Sequence, residues 1–412
     1  MTDALRVCVE LDGRPIEAGI AYFTHRGTLA TSFRYSREYL RWPGAYELDP
    51  ALPLYQGQHH VSGLPGAFAD CAPDRWGQNL IRRRIRYAQS AAATARSRAI
   101  TDVDYLTGVS DFTRQGALRF AVPDSDVFVD PSSDVPRMIE LPALLRAAEH
   151  IIRDDDDFGD VKMLLAAGTA TLGGARPKAS VQDGHRLCIA KFPHHADRWD
   201  VMAWEKTALD LAENAGITVP NRSLQQVNGK GVLILDRFDR ESGTRIGYIS
   251  AMTMLQARDG QTADYLDVAE AIPERSGQPD ADLAQLWRRI AFNIAVHNTD
   301  DHLRNHGFLR GRAGWLLAPA FDMNPNPELA EHRVTAIGGA VERAEELETL
   351  FAAAYAFGVA DEQARAALRE VFAATERWEA VAAANGIPAS ERNRFRAVFE
   401  ESRKLGERLV AE

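Results

Sequence analysis

Residues His297 to His306 run His-Asn-Thr-Asp-Asp-His-Leu-Arg-Asn-His, three histidines, two aspartates and two asparagines in ten positions. This polar loop is framed on both sides. Before it, Leu283, Leu286, Trp287, Ile290 and Ile294 recur at helical spacing, which predicts a core helix over Ala281 to His297. After it, GFLRGRAGWLLAP reads as a β-hairpin turning at Gly311 to Gly314 and leading to Phe321-Asp322-Met323-Asn324.

The 412 residues suggest two or three core-bearing units. With 45% hydrophobic and 26% charged residues, the composition is that of a globular chain that buries a sizeable core. Its 48 Lys and Arg against 58 Asp and Glu leave a net charge of −10, which argues against attachment to nucleic acid mainly through phosphate neutralisation. Cys8, Cys71 and Cys188 lie far apart and form no CxxC pair, so a cytoplasmic setting without disulfides or a cysteine zinc site is expected. The N-terminus lacks the basic and apolar regions of a signal peptide, and no apolar stretch approaches membrane-spanning length, so no membrane partner is expected.

Leu5 to Phe33 alternates as short strands broken by turns, and Leu64 to Arg86 gives two helical patterns hinged at Pro73. The Arg82, Arg83, Arg84, Arg86 cluster reads first as a solvated helix face and second as a nucleic-acid patch. PDSDVFVDPSSDVPR, residues 123–137, is the best candidate linker. A helix around Pro142 to Ile152 precedes an acidic run, Asp154 to Asp157, expected to end that helix at the surface. A Gly-rich passage, the strand HRLCIAKFP, a helix over Asp200 to Ala215 and the strand GVLILDRFD follow. Beyond Gly243 the pattern is largely helical, closing with helices over Asp361 to Asn385 and from Ser390 to about Leu405. The expected domains are 1–122, 138–240 and 241–412.

Asp300 and Asn305, then a hairpin, then Asp322 reproduce the order in which protein kinases place a catalytic aspartate, a metal-binding asparagine and a metal-binding aspartate. One carboxylate accepts the proton of an attacking hydroxyl, while an amide and a second carboxylate hold Mg²⁺ against phosphates. An isolated Asp-x₄-Asn more often marks a loop or a helix cap. Here Lys191 stands in an apolar strand after a Gly-rich segment, as a phosphate-binding lysine would. Glu205 lies on or near the buried stripe of the next helix, which calls for a cationic partner such as Lys191. GTATLGG is no Walker A loop and no GxGxxG is present, but the amides of a Gly-rich loop bind phosphate, with Arg176 and Lys178 adding charge.

Together, LPGAFADCAPDRWGQNLI, GALRF, GGARPKASV, IAKFP, LILDRFDR, NTDDHLRNHGF and LAPAFDM resemble, in order, the motifs of the HipA family of serine/threonine kinases, the toxins of HipBA-type toxin–antitoxin modules. The resemblance runs to about Asn324, with the helical remainder matching in character only. It implies an α+β, two-lobed kinase-like fold with an added N-terminal β-rich subdomain and a mainly helical C-terminal lobe. It also implies ATP and Mg²⁺ as cofactors, with Asp300 as the catalytic base, Asn305 and Asp322 as metal ligands and Lys191 on the phosphates. Gly173, Gly174, Arg176, Lys178, Glu205 and His302 would complete the nucleotide site. Asp236 to Phe238 would form the adenine-contacting hinge and Asp239 would approach the ribose. His302 and Arg304 would have structural or phosphate-orienting parts.

A HipB-like DNA-binding antitoxin, DNA touched through it, and a protein substrate, with aminoacyl-tRNA synthetases as the family's known class, are the implied partners. A hydroxyl among Thr169, Thr171 and Ser180 could be autophosphorylated, as in that family. Two alternatives stand beside this reading. One is a metal-dependent hydrolase using His297, His302 and His306, which leaves Lys191 and the Gly-rich loop unexplained. The other is a decayed kinase serving as a scaffold, against which Lys191, Asp300, Asn305 and Asp322 are all present.

Overall fold

The computed structural model describes residues 4–91, 99–168 and 176–411. The chain divides into two compact units, one of residues 1–196 and 225–249, the other of 197–224 and 250–412. These do not follow the three expected spans. Both 1–122 and most of 138–240 fall in the first unit, while the helix Val201–Asn214 belongs to the second.

The first unit holds two larger sheets and a two-stranded ribbon, Arg240–Glu241 with Thr244–Arg245. Strands β1 (Ala4–Leu11), β2 (Arg14–Arg26), β3 (Thr28–Tyr35), β4 (His59–Ser62) and β5 (Leu118–Ala121) form an antiparallel sheet in the order β4-β3-β2-β1-β5. Leu5, Val7 and Val9 alternate into its buried face, as period-2 patterning requires. Phe68, on the short helix Gly66–Asp70, meets Phe33 and Phe120 edge to face.

The second sheet joins β6 (Lys178–Asp183), β7 (Arg186–Lys191), β8 (Arg222–Val227) and β9 (Lys230–Asp236) in the order β6-β7-β9-β8. Helices Leu141–Arg153 and Phe158–Ala166 bury Leu144, Leu145, Ile151, Val161 and Leu164 in the core that also takes in Val181, Cys188 and Ala190. Trp76 and Leu80 of helix Arg75–Ala91 enter the same core. A helix from the expected N-terminal domain thus serves the second sheet, which makes one unit of the two spans.

The expected linker is a bound strap. Val129 N–H donates to Phe120 O at 2.8 Å, Asp111 N–H to Asp130 O at 2.8 Å, and Gln182 N–H to Pro136 O at 2.8 Å. The arginine cluster is largely internal to this unit: Arg82 donates to Tyr105 Oη at 3.0 Å, Arg83 pairs with Asp154 at 2.6 Å and with Asp156, and Arg84 pairs with Asp130 at 3.1 Å. The acidic run does more than end a helix. Asp154 caps helix Leu141–Arg153 in the left-handed region at φ 59°, Asp156 holds Arg83, and Asp157 opens the next helix with a capping box.

The second unit is mainly helical. Its central helix, Pro279–Ala295, buries Leu286, Trp287, Ile290 and Ile294, the residues whose spacing predicts it. The hairpin pairs Gly307–Arg310 with Trp315–Leu317, Phe308 opposite Leu317 and Arg310 opposite Trp315. The helix expected over Asp361 to Asn385 is broken into Asp361–Thr375 and Trp378–Ala384, and the last helix runs Ala389–Ala411, with Ser390 inside it and not capping it. No described helix is long and apolar enough to cross a membrane.

Candidate active site

In the first unit, Lys191 ends β7, buried at 5% exposure, directly across the ladder from Lys178. The two lysines have different settings. Lys178 Nζ lies 2.6 Å from Asp74 Oδ2 with its side chain 1% exposed, and its carbonyl accepts Trp76 Nε1–H at 3.0 Å. A buried pair of this kind neutralises its own charge, so Lys178 does not add a cation for phosphate as expected but fastens β6 to helix Arg75–Ala91. Arg176 is half-buried at the start of the described segment. Gly173, Gly174, Thr169 and Thr171 lie outside the described residues. Ser180 is fully buried in β6, its N–H donating to Ala167 O at 3.0 Å, so it is not placed for autophosphorylation.

At the end of β9, Asp236 pairs with Arg186 at 2.8 Å and accepts the Cys188 thiol at 3.3 Å. Burial is the main cause that pushes the Cys188 thiol up to about 12, with the Asp236 carboxylate adding to it. Phe238 packs on Ile189. Asp239 is fully buried. Its Oδ1 accepts Arg237 Nε at 2.8 Å, and its Oδ2 accepts Arg237 Nη2 at 2.6 Å, Arg240 Nη1 at 2.8 Å and the Gly116 N–H at 2.8 Å. Burial alone would raise this carboxyl, but the two guanidiniums hold it well below the usual range. Held by these donors, Asp239 serves as a brace between residues 237–240 and the turn at 113–116.

In the second unit, His297 leaves the central helix at φ 56°, and the polar loop begins. Asp300 is exposed and Asp301, its neighbour, is buried. The Asp301 carboxylate accepts Tyr265 Oη, Asn293 Nδ2 at 2.7 Å and His306 Nε2 at 2.9 Å, while its carbonyl accepts Thr335 Oγ1 at 2.8 Å. Burial opposes ionisation here, yet His306, the Tyr265 hydroxyl and Arg333 win and lower the Asp301 pKa. This network, anchored at both loop ends, is what the sequence reading missed. The signal was the doubled Asp, of which only one could face solvent.

A short helical turn, Leu303–Asn305, turns Asn305 inward at 5% exposure. Its Nδ2 donates to Asp300 O at 3.4 Å, and its Oδ1 is buried with no hydrogen-bond partner among the described residues. His302 Nδ1 is likewise buried without one, and Arg304 pairs with Asp259 at 2.9 Å. Asp322 follows the hairpin at φ 58°, a left-handed conformation that aspartate tolerates better than most residues. A buried amide oxygen left without a donor suits a hard cation, so Asn305 and Asp322 fit Mg²⁺ by chemistry and by position in the loop. Glu205, also in this unit, is fully buried on helix Val201–Asn214.

The histidine-metal alternative fails on this geometry. His297 Nε2 meets Glu328 O at 3.1 Å and His306 is committed to Asp301, so these two of the three histidines serve the loop's frame. Among the described residues no group of three or more His, Cys, Asp or Glu side chains could hold a metal.

The fold is of the HipA-like α+β class. Residues 170–378 match the sequence model of the HipA-like C-terminal domain and residues 16–96 that of the HipA N-terminal domain. The chain belongs to the HipA family. It is 25% identical over 173 residues to "Putative kinase Y4mE" of Sinorhizobium fredii, an alignment covering 38% of this chain and 39% of that protein. Its structure is similar to that of HipA from Shewanella oneidensis, solved in complex with HipB and operator DNA, with TM-score 0.65 and 14% identity over 98% of this chain and 97% of that one. It is also similar to the Helicobacter pylori proinflammatory kinase CtkA, with TM-score 0.46 and 16% identity over 58% of this chain and 93% of that one.

Proposed function

We propose that this chain is an ATP- and Mg²⁺-dependent serine/threonine protein kinase and the toxin of a toxin–antitoxin pair. The observation that carries the reading is the loop in which Asp301 is locked inward, Asp300 stays exposed, and Asn305 holds a buried oxygen without a partner. Asp300 accepts the proton of the attacking substrate hydroxyl. Asn305 and Asp322 supply oxygen ligands for the cation, which when bound neutralises charge on the transferring phosphoryl group. Lys191 contributes a phosphate contact from its strand, with Arg176 and the Gly-rich loop ahead of it in sequence. The backbone of Asp236 to Phe238 receives the adenine, Glu205 and His302 keep their assignment to the nucleotide site, and the brace at Asp239 steadies the hinge.

Likeness to a HipA solved with HipB and operator DNA supports a small HipB-like DNA-binding partner, with DNA reached through that partner. The family resemblance supports a translation protein, such as an aminoacyl-tRNA synthetase, as the phosphorylated substrate, and a cytoplasmic site of action. The test is phosphotransfer from labelled ATP into a bacterial extract. Asp300→Asn keeps the side chain's shape and removes the proton acceptor, so labelling should fall by roughly 10² to 10⁴ while binding of a non-hydrolysable ATP analogue is retained. Labelling near the wild-type rate by that variant would overturn the assignment.

A further inference from the structure

Two asparagines follow Asp322, and they are treated differently. Asn326 is satisfied at both ends: its Nδ2 donates to Thr299 Oγ1 at 2.9 Å and its Oδ1 accepts the Glu328 N–H at 2.9 Å. That is the pattern of an asparagine that shapes a turn. Asn324 Nδ2 reaches Asp322 Oδ1 at 3.4 Å, and its Oδ1 is buried with no hydrogen-bond partner among the described residues. The amide's orientation has a physical reason, since turning it over would set its oxygen against the carboxylate, two acceptors face to face. A buried amide oxygen without a donor is costly to keep. Pro325, next in the chain, also restricts Asn324 to extended backbone.

Asn305 and Asn324 therefore share one property, a buried Oδ1 with no donor among the described residues, and each is bonded to a carboxylate-bearing residue: Asn305 to the Asp300 backbone in the loop, Asn324 to the Asp322 side chain after the hairpin. We propose that Asn324 is a third oxygen ligand of the divalent cation assigned to Asn305 and Asp322, an inference that rests on the kinase reading. One carboxylate and two neutral amide oxygens make a hard donor set of low charge. Such a set would hold a cation firmly only when phosphate oxygens complete the shell.

The test uses the full chain with Mn²⁺ as the probe, titrated by electron paramagnetic resonance in the presence of a non-hydrolysable ATP analogue. Asn324→Ala should weaken Mn²⁺ binding by at least about tenfold, since loss even of a ligand's outer-shell partner costs about that much, while affinity for the analogue without metal is unchanged. Asn326→Ala, which should lower the melting temperature without changing Mn²⁺ affinity, separates a ligand from a turn residue. Asn324→Asp should keep Mn²⁺ binding and make thermal stability more dependent on the cation, because two adjacent carboxylates repel until one is present. Wild-type Mn²⁺ affinity in Asn324→Ala would overturn the ligand assignment alone. Failure of the wild-type chain to bind Mn²⁺ with the analogue would overturn the kinase reading and this inference with it.

Discussion

Asp300 and Asp301 are adjacent, chemically identical and opposite in fate, which shows how a side chain's work depends on its donors. Asp301 collects Tyr265, Asn293 and His306, and its depressed pKa follows from them. A carboxyl with a lowered folded pKa stabilises the fold above the ordinary Asp range, and that contribution is lost as pH falls through the lowered value. His297 acts in a higher window. Burial first, then Arg343 and Arg333, depress its pKa to about 4 from the ordinary 6.5, so it is buried neutral. Between those values the unfolded chain binds the proton more readily, so stability must fall as pH drops from about 6.5 toward about 4. Replacing His297 by Asn, which tolerates the left-handed backbone, should lower the melting temperature overall by a few degrees but flatten its decline between pH 7 and 5. Differential scanning calorimetry across that range checks it, and parallel wild-type and variant curves would reject it.

Among the elements, the hairpin after the loop sets where Asp322 emerges, and at Gly314 its turn has no room for a larger residue. A Cβ at Gly314 would lie 2.6 Å from both Arg275 O and Gly277 N, backbone atoms that cannot step aside cheaply. Gly314→Ala should therefore destabilise the chain by on the order of 2 kcal/mol and lower phosphotransfer more than nucleotide affinity, measured by denaturant unfolding beside kcat and KM. The hairpin, the central helix and strands β7 and β9 were legible because their patterns are local: short apolar runs, period 3.6 and turn glycines, whereas β6 was hidden in the Gly-rich passage. What local pattern cannot carry is the partner. The arginine cluster read as a solvated face because Asp130, Asp154 and Asp156 are 46 to 73 residues away in sequence. The 123–137 segment looked like a linker because its backbone partners belong to other elements, and Lys178 looked like a phosphate cation because Asp74 lies 104 residues earlier. The site loop's residues were all in view, but that Asp301 anchors the loop while Asn305 and Asn324 each keep an oxygen in reserve depends on packing against Tyr265, Asn293 and the hairpin.

At the scale of the molecule, the toxin reading differs from a housekeeping kinase in what the chain does to a cell. If it arrests growth by phosphorylating a translation protein, inducing it alone in a bacterial host should slow growth, and inducing Asp300→Asn to the same level should not. The chain's net charge of −10 bears on the partner. The arginine cluster is spent mostly on internal carboxylates, which removes the main candidate for direct contact with DNA phosphates and leaves an acidic toxin that a basic DNA-binding protein can meet by charge as well as shape. Co-expression of a HipB-like protein encoded beside it should restore growth, and raising ionic strength should loosen the isolated complex by slowing association. Equal growth impairment by the wild-type and Asp300→Asn chains would defeat the toxin reading, because the effect would then owe nothing to phosphotransfer. Growth arrest that needs Asp300 but is not relieved by the neighbouring protein would keep the kinase and remove the antitoxin, separating two claims that the family resemblance joins.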